Sequence, residues 1–496
     1  MTEEQKSYRQ IFKATSLFGG VQGFKVIISI IRSKVIAVLL GPTGMGIMSL
    51  LTATTSLISV ATNFGLGVSA LKDISAANGT GSAIRIATVV KVFRRLVWIT
   101  GTLGAILTLC LSPWLSEFTF GNRDYTLAFI WISVTLLISQ LSDGQLVILQ
   151  GLRKMHSLAK ANLAGSTLGL VLTLPLYYFL GIDGIVPGII ITSLITIFFS
   201  WIYSRQIKII NIKISRPRTI AEGKVMLKMG VMVSISGLTA IAASYILKAY
   251  ISNYAGVEQV GLYSAGFSII GTYVGLVFNA MATDYYPRLS AIAYDNNQTR
   301  QLVNQQVQVA ILVLAPLLSI FLVYINWIVI LLYSGKFVAI NEMIHWAAIG
   351  IFFKTISWAI GFLLFAKGAS KIYFFNELTA NIIILISNIV GFKFWGLTGL
   401  GISYMISYLL AMLLSLFIAK YKWAFYFEKR FYTVFIIQIC LAIGCLVIVK
   451  FLETPYVYIV GSLLIIISSW YSFREMDKRL GLIQIYTDFR KRKWKR

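Results

Sequence analysis

The chain has 496 residues, 57% hydrophobic and 12% charged, with a formal net charge of +26. A soluble chain carries roughly 25% charged residues, so this composition excludes a soluble enzyme or binding module and describes a polytopic membrane protein. In a soluble domain the same positive charge would point to nucleic acid. Here the bases sit mostly in short loops between apolar runs, and no nucleic-acid partner is expected.

The apolar runs are unbroken and about 20 residues long, enough for a helix to cross a hydrocarbon core of about 30 Å. Helices satisfy their own backbone groups in lipid, whereas a barrel would show alternating segments of about 10 residues. The predicted fold class is all-α, with fourteen transmembrane helices near 15–40, 45–70, 91–116, 125–148, 157–180, 184–204, 229–254, 260–285, 305–333, 338–366, 372–394, 399–420, 431–451 and 455–473. The polar start MTEEQKSYRQIFK runs straight into the first, which serves as the targeting segment.

In helix 1, Gln22, Lys25, Ser29 and Arg32 step by three, four and three, and so share one face. Lys34 points elsewhere. A charge at the bilayer centre costs roughly 2.5–3.5 kcal/mol, so this stripe is expected to face a wet cavity; snorkelling or structural pairing is the alternative. Helix 2 carries Ser49, Thr52, Ser56, Ser59 and Asn63 at the same spacing. Hydroxyl stripes serve cavities and plain helix packing alike. Helix 4 holds Asp143, on one face with Ser139 and Gln150. Helix 7 holds Lys248 one turn after Tyr245 and Ser244, and helix 10 holds Lys354. Asp284 ends helix 8 near Arg288, where a structural ion pair is expected. Glu377 of helix 11 shares a face with Asn381 and Asn388, and pairing with Lys367 or Lys371 is its structural alternative. The deep charges therefore favour positive, and a cavity lined by them wants an anion.

The halves resemble each other. LLGPTGMGIMS (39–49) matches YAGVEQVGLYS (254–264), and GIDGIVPG (181–188) matches GLTGLGIS (396–403), both at an offset of 215. Asn63 matches Asn279 at 216. Such internal repeats mark transporters, and the expected domains are a lobe over 1–204, a basic linker over 205–228, a second lobe over 229–420, and two peripheral helices with a basic tail over 421–496. The basic segments, among them KVFRR (91–95), LRKM (152–155), the 205–228 linker and the terminal KRKWKR, fall on one side. That asymmetry places both termini in the cytoplasm, with the tail on anionic membrane lipids.

Nothing points to an enzyme. His156 and His345 are isolated, the outer loops are short, and Cys110, Cys440 and Cys445 form neither a metal site nor a disulfide framework. No cofactor or metal is expected, and no phosphate-cradling glycine loop for ATP is present. A membrane polysaccharide polymerase or ligase, which needs positioned acid and base groups, is the least favoured reading.

The segments KVIAVLLGPTGMG, FGNRDY, LQGLRKM, GLYSAG and DYYPRLS resemble bacterial O-antigen and polysaccharide flippases of the Wzx type, in the superfamily that includes multidrug and toxin extrusion antiporters and lipid II flippases. The resemblance implies two six-helix lobes around a central cavity in the bacterial inner membrane, opening alternately to each side. It implies as cargo an undecaprenyl-diphosphate-linked oligosaccharide. Lys25, Arg32, Lys34 and Lys248 would supply the cationic lumen, with Lys354, Ser29 and Asn63 as further substrate contacts. A proton or sodium counter-ion, coupled through Asp143 or Glu377, and the membrane potential are alternative drives. A polysaccharide polymerase is a candidate partner. Lipid II and small-molecule cargoes are the alternatives within the superfamily.

Overall fold

The computed structural model of the chain describes residues 23–24 and 26–480. Gln22, Lys25 and the terminal KRKWKR lie outside the described residues. Among the described residues there is no strand. The helices are α1 (26–39), α2 (Gly41–Asn63), α3 (Leu66–Gly79), α4 (Ala83–Phe120), α5 (Thr126–Gly151), α6 (Met155–Leu180), α7 (Ile185–Arg205), α8 (Arg216–Ala255), α9 (Val257–Ile269), α10 (Gly275–Ala291), α11 (Asn296–Leu332), α12 (Asn341–Ala366), α13 (Ser370–Trp423), α14 (Lys429–Phe451) and α15 (Tyr456–Leu480).

Ten helical stretches of the described residues are long and apolar enough to cross a bilayer. Two of them, 155–205 and 370–423, fold back on themselves and supply two passes each. That gives twelve passes among the described residues; α8 is long enough but less apolar, and the first expected helix lies partly outside the described residues. Polar interactions along α13 locate its fold. Ser403 Oγ donates to Ser387 O at 2.7 Å and Ser415 Oγ to Asn376 Oδ1 at 3.2 Å, so the two arms run antiparallel about Gly396.

The helices differ from the predicted ones where amphipathic turns extend past the apolar run. The predicted helix over 45–70 breaks at Phe64 and Gly65, both at positive φ, and α3 takes its last residues together with part of the predicted loop: Leu66, Ala70, Ile74 and Ala77 recur at helical spacing and are buried, but the helix is too short to span. α8 begins at Arg216, inside the predicted linker, and α4 at Ala83. Predicted helix 8 is divided into α9 and α10 by a π-helical turn at Ile270–Val274, which hydropathy does not register.

The chain divides into two compact units, one reaching to Leu262 and including Leu332–Ser334, the other Tyr263–Leu331 and Gly335 onward. In the first, α4, α5 and α7 pack together, α6 lies along α7, and α8 packs on α2, α3 and α4. The segment 206–215, which has no regular secondary structure, is strapped to α4. Lys91 Nζ donates to Asn211 Oδ1 (3.2 Å) and to Ile212 O, and Arg95 Nη1 to Thr219 Oγ1 (2.5 Å). Arg85 meets both carboxylate oxygens of Glu222, and Ile207, Ile209 and Ile214 join the buried cluster of Val89, Phe93 and Ile148.

In the second unit α11 and α12 are two-thirds buried over their spanning windows, against 28% and 22% for α14 and α15, which are peripheral. Glu342 of α12 holds Lys450 of α14 at 3.1 Å, and buried Gln438 of α14 meets Ser468 and Ser472 of α15. These polar pins were not anticipated on helices so apolar.

The repeat is visible in the backbone. Gly181 (φ 57°, ψ −129°) and Gly396 (φ 57°, ψ −137°), 215 apart, share a conformation open essentially only to glycine. Within the first unit, α2 and α9 cross so tightly that a Cβ on Gly46 would sit 2.0 Å from Val257 O and one on Gly261 1.8 Å from Pro42 O. Both residues of each contact map onto those of the other at the same offset, so the crossing is a reciprocal, twofold-like clasp.

Candidate functional site

Of the helix 1 stripe, Ser29 is exposed and Arg32 half-buried. Arg32 lies against α6 and α7, with Nη2 3.4 Å from Thr192 Oγ1 and close to Gly169. That bond is long, and Thr192 spends its own proton on Gly188 O at 2.8 Å. The guanidinium has five donors. Its Nε is buried without a partner, and among the described residues Arg32 forms no ion pair. A buried unmet donor costs about 1–3 kcal/mol, so the site is poised for an external acceptor. Lys34 is also half-buried but is already engaged within the chain, and it differs from Arg32 in this respect.

On α2 the two sets of hydroxyls divide. Thr54 and Thr62 are buried and hold neighbouring helices. The predicted stripe stays accessible, with Thr52 and Ser56 exposed and Ser49, Ser59 and Asn63 half-buried. Thr62 accepts from Gln140 Nε2 at 3.4 Å, and Gln140 Oε1 accepts from Thr100 at 3.1 Å. Thr54, Thr119 and Tyr245 form a chain of hydroxyls at 3.5 Å and 2.7 Å that pins α8 to α2 and α4. One turn on, Lys248 is half-buried and makes no hydrogen bond or ion pair among the described residues. Arg32 and Lys248 are thus both half-buried cations of the first unit without carboxylate partners among the described residues.

In the second unit Lys354 meets a different environment. Its ammonium lies 5.1 Å from the Tyr408 ring centre, 5.8 Å from Tyr404 and 5.9 Å from Phe278, and donates to Tyr404 Oη at 3.3 Å. Phe267 packs on Tyr404, which packs on Tyr408. Cation–π contacts in such a dry setting are worth about 2 kcal/mol, and they supply the negative potential that a carboxylate would. Spacing Tyr404 and Tyr408 four apart is the one sequence signal for this box; the Phe278 and Phe267 walls come from tertiary packing.

Glu377 is half-buried on α13 beside Gly361, with no hydrogen bond or ion pair among the described residues. The structural alternative is not formed: Lys367 instead donates to Asn296 Oδ1 at 2.6 Å and to Ala293 O, and Lys371 stays exposed. Asp143 is exposed on α5 and already engaged. Asp284 and Arg288 form the expected pair at 3.1 Å, both well exposed. His345 is enclosed, with Nε2 3.2 Å from Leu322 O and Nδ1 3.6 Å from Glu342, a structural position. No cluster of three metal-ligating side chains occurs among the described residues.

The sequence matches the family model for polysaccharide biosynthesis proteins over residues 35–342, more than half of the chain. The chain belongs to that family. It is 21% identical over 392 residues to the lipid III flippase of Escherichia coli strain K12, covering 78% of this chain and 92% of that protein. A Shigella flexneri protein named for O-antigen transport is 25% identical over 255 residues, covering 51% and 59%. Among solved structures, the lipid II flippase MurJ in an inward closed conformation superposes with a TM-score of 0.70 at 13% identity, covering 94% of this chain and 99% of that one. An inward-facing multidrug resistance MATE family transporter of the MOP superfamily gives 0.68 at 14%, covering 81% and 94%. This polysaccharide biosynthesis family member therefore shares the fold of those transporters, and it is a multi-pass membrane protein.

Proposed function

We propose that this protein moves an undecaprenyl-diphosphate-linked oligosaccharide from the cytoplasmic to the periplasmic leaflet of the bacterial inner membrane by alternating access, with both termini in the cytoplasm. The carrying observation is Arg32: a half-buried guanidinium in an apolar helix, with an unmet Nε and no carboxylate among the described residues. A diphosphate matches it bidentately, and Lys248 offers a second free cation. The accessible hydroxyl stripe of α2 suits sugar hydroxyls, each of which would cost several kcal/mol to leave unpaired in hydrocarbon. Lys25 and Lys34 are retained as flanking charges, and Ser29 and Asn63 as neutral contacts. Lys354 is a weaker contact, because its ammonium is already boxed by aromatic rings.

An inside-negative potential favours outward movement of negative charge by about 2.3 kcal/mol per charge per 100 mV. If a proton or sodium ion resets the carrier, Glu377 is favoured over Asp143, since it is half-buried and unpaired. The relatives support this reading through their names alone. Deletion of the gene should abolish one surface polysaccharide and raise its lipid-linked precursor. Complementation by wild type but not by Arg32→Ala, at equal protein level, would support the assignment. An unchanged surface glycan with accumulated lipid II would move the cargo to the cell-wall precursor.

A further inference from the structure

Two cavities in the first unit share a wall. One, of about 520 Å³, lies between α4, α5, the end of α7 and the segment 206–215, and is lined by Arg94, Trp98, Gln145, Ser204 and Arg205 among others. The other, of about 770 Å³, is a groove on α6 and α7 lined only by apolar side chains, including Leu168, Leu172, Leu194 and Phe198. Ile197 and Trp201 belong to both.

The first cavity has chemistry that the fold leaves unused. Ser204 is 3% exposed, and its Oγ has no partner. Gln145 Oε1 is likewise buried and unpaired. Buried polar atoms are rarely left so without a ligand or water. Arg94 makes no hydrogen bond among the described residues, although its neighbours Lys91 and Arg95 are both spent on the 206–215 strap and the start of α8. Arg205 stacks on Trp201 at 5.0 Å, which leaves its in-plane donors free. The cavity thus offers two guanidinium groups and a hydroxyl for phosphate oxygens, and one amide oxygen for a hydroxyl donor.

We infer that these cavities form one binding site for an anionic glycerophospholipid whose headgroup carries a hydroxyl, as phosphatidylglycerol does. The phosphodiester sits between Arg94 and Arg205, the headgroup hydroxyl reaches Gln145 Oε1, and an acyl chain lies along the α6–α7 groove. Trp201 stands at the junction and Trp98 in the polar cavity, 46% and 55% exposed, as aromatic side chains do at the membrane–water boundary. The basic loops place this end on the cytoplasmic side, where the anionic lipids concentrate. The site is independent of the proposed cargo. It would clamp the 206–215 segment, since Ile207 and Ile209 form part of its wall.

The test uses the full chain, purified in neutral detergent and delipidated, with phosphatidylglycerol, phosphatidylcholine and glycerol 3-phosphate as probes. Binding is read by native mass spectrometry and by the shift in melting temperature. One phosphatidylglycerol should bind saturably, about tenfold or more tighter than phosphatidylcholine and far tighter than glycerol 3-phosphate. Arg94→Gln with Arg205→Gln should remove that preference, while Lys420→Gln with Lys422→Gln, an equal loss of exposed charge, should not. Leu194→Trp, which fills the groove without touching charge, should weaken binding as well; it and Ser204→Ala serve if the arginine variant does not fold. Equal binding by wild type and the arginine variant would overturn the site, as would an equal loss in the lysine control. Displacement by polyprenyl diphosphate at one-to-one stoichiometry would overturn the occupant.

Discussion

Replacing Gly46 or Gly261 by alanine probes the clasp between α2 and α9. Real Cβ atoms do not approach other heavy atoms closer than 3.0 Å, and against that floor the 2.0 Å and 1.8 Å contacts fall short by 1.0 Å and 1.2 Å. The opposing atoms, Val257 O and Pro42 O, are backbone, so no rotamer change relieves the clash. The two helices must separate by about an ångström. Overpacking of this kind costs about 1–3 kcal/mol. Because the clasp is reciprocal, the separation forced by one methyl makes room for the other. Gly46→Ala with Gly261→Ala should therefore destabilise by clearly less than the sum of the single variants. Gly237→Ala is the control: it is exposed within α8 with nothing near the added methyl, and it should stabilise by about 0.5–1 kcal/mol. Thermal unfolding in detergent, followed by tryptophan fluorescence, reads all four. Single variants as stable as wild type, or strictly additive losses, would refute the reciprocal geometry.

Gly181→Ala and Gly396→Ala meet no neighbour within 4 Å, so their cost is purely conformational, about 1–3 kcal/mol each and similar for the two; unequal melting shifts would argue against a shared turn. Arg95→Ala removes the contact to Ile214 O (3.5 Å) at the end of the strap and the bond to Thr219 just beyond it, so limited proteolysis within 206–215 should accelerate several-fold, while Arg85→Gln should do less, because its partly exposed pair is worth about 1 kcal/mol at most. Equal cleavage in both would place the strap elsewhere. Tyr404→Leu with Tyr408→Leu strips the box around Lys354 and should destabilise the second unit; Lys354→Met added to that pair should restore much of the loss, since no unpaired ammonium is then left in an apolar site.

The spans, the repeat and the periphery of α14 and α15 were legible because each is written in local pattern. Apolar length marks a crossing, and glycines at a constant offset mark turns that recur. Hydropathy failed where helices continue in polar sequence, as at Arg216 and Ala83, and where a short amphipathic helix packs without spanning, as in α3. The π-helical turn at Ile270–Val274 changes hydrogen bonding without changing composition. At the site, Arg32 was found by its cost in lipid. Its neighbours Thr192 and Gly169, on helices about 140–160 positions away, carry no pattern linking them to it. Lys354 shows the limit of counting charges: a lysine without an acid nearby read as unpaired, yet ring faces answer it. Glu377 shows the converse, since nearby lysines in sequence suggested a pair that Asn296 and Ala293 take instead.

Transport by the purified chain in proteoliposomes bears most directly on the claim that a cationic path carries a diphosphate-linked glycan. Fluorescently labelled undecaprenyl-diphosphate oligosaccharide is placed in one leaflet, and its appearance in the other is read by quenching or enzymatic capture. Wild type should move it faster than protein-free vesicles and faster than a neutral polyprenyl glycoside bearing the same sugars, and Arg32→Ala should lose that advantage. Undiminished movement by Arg32→Ala, or equal movement of the neutral glycoside, would contradict the account.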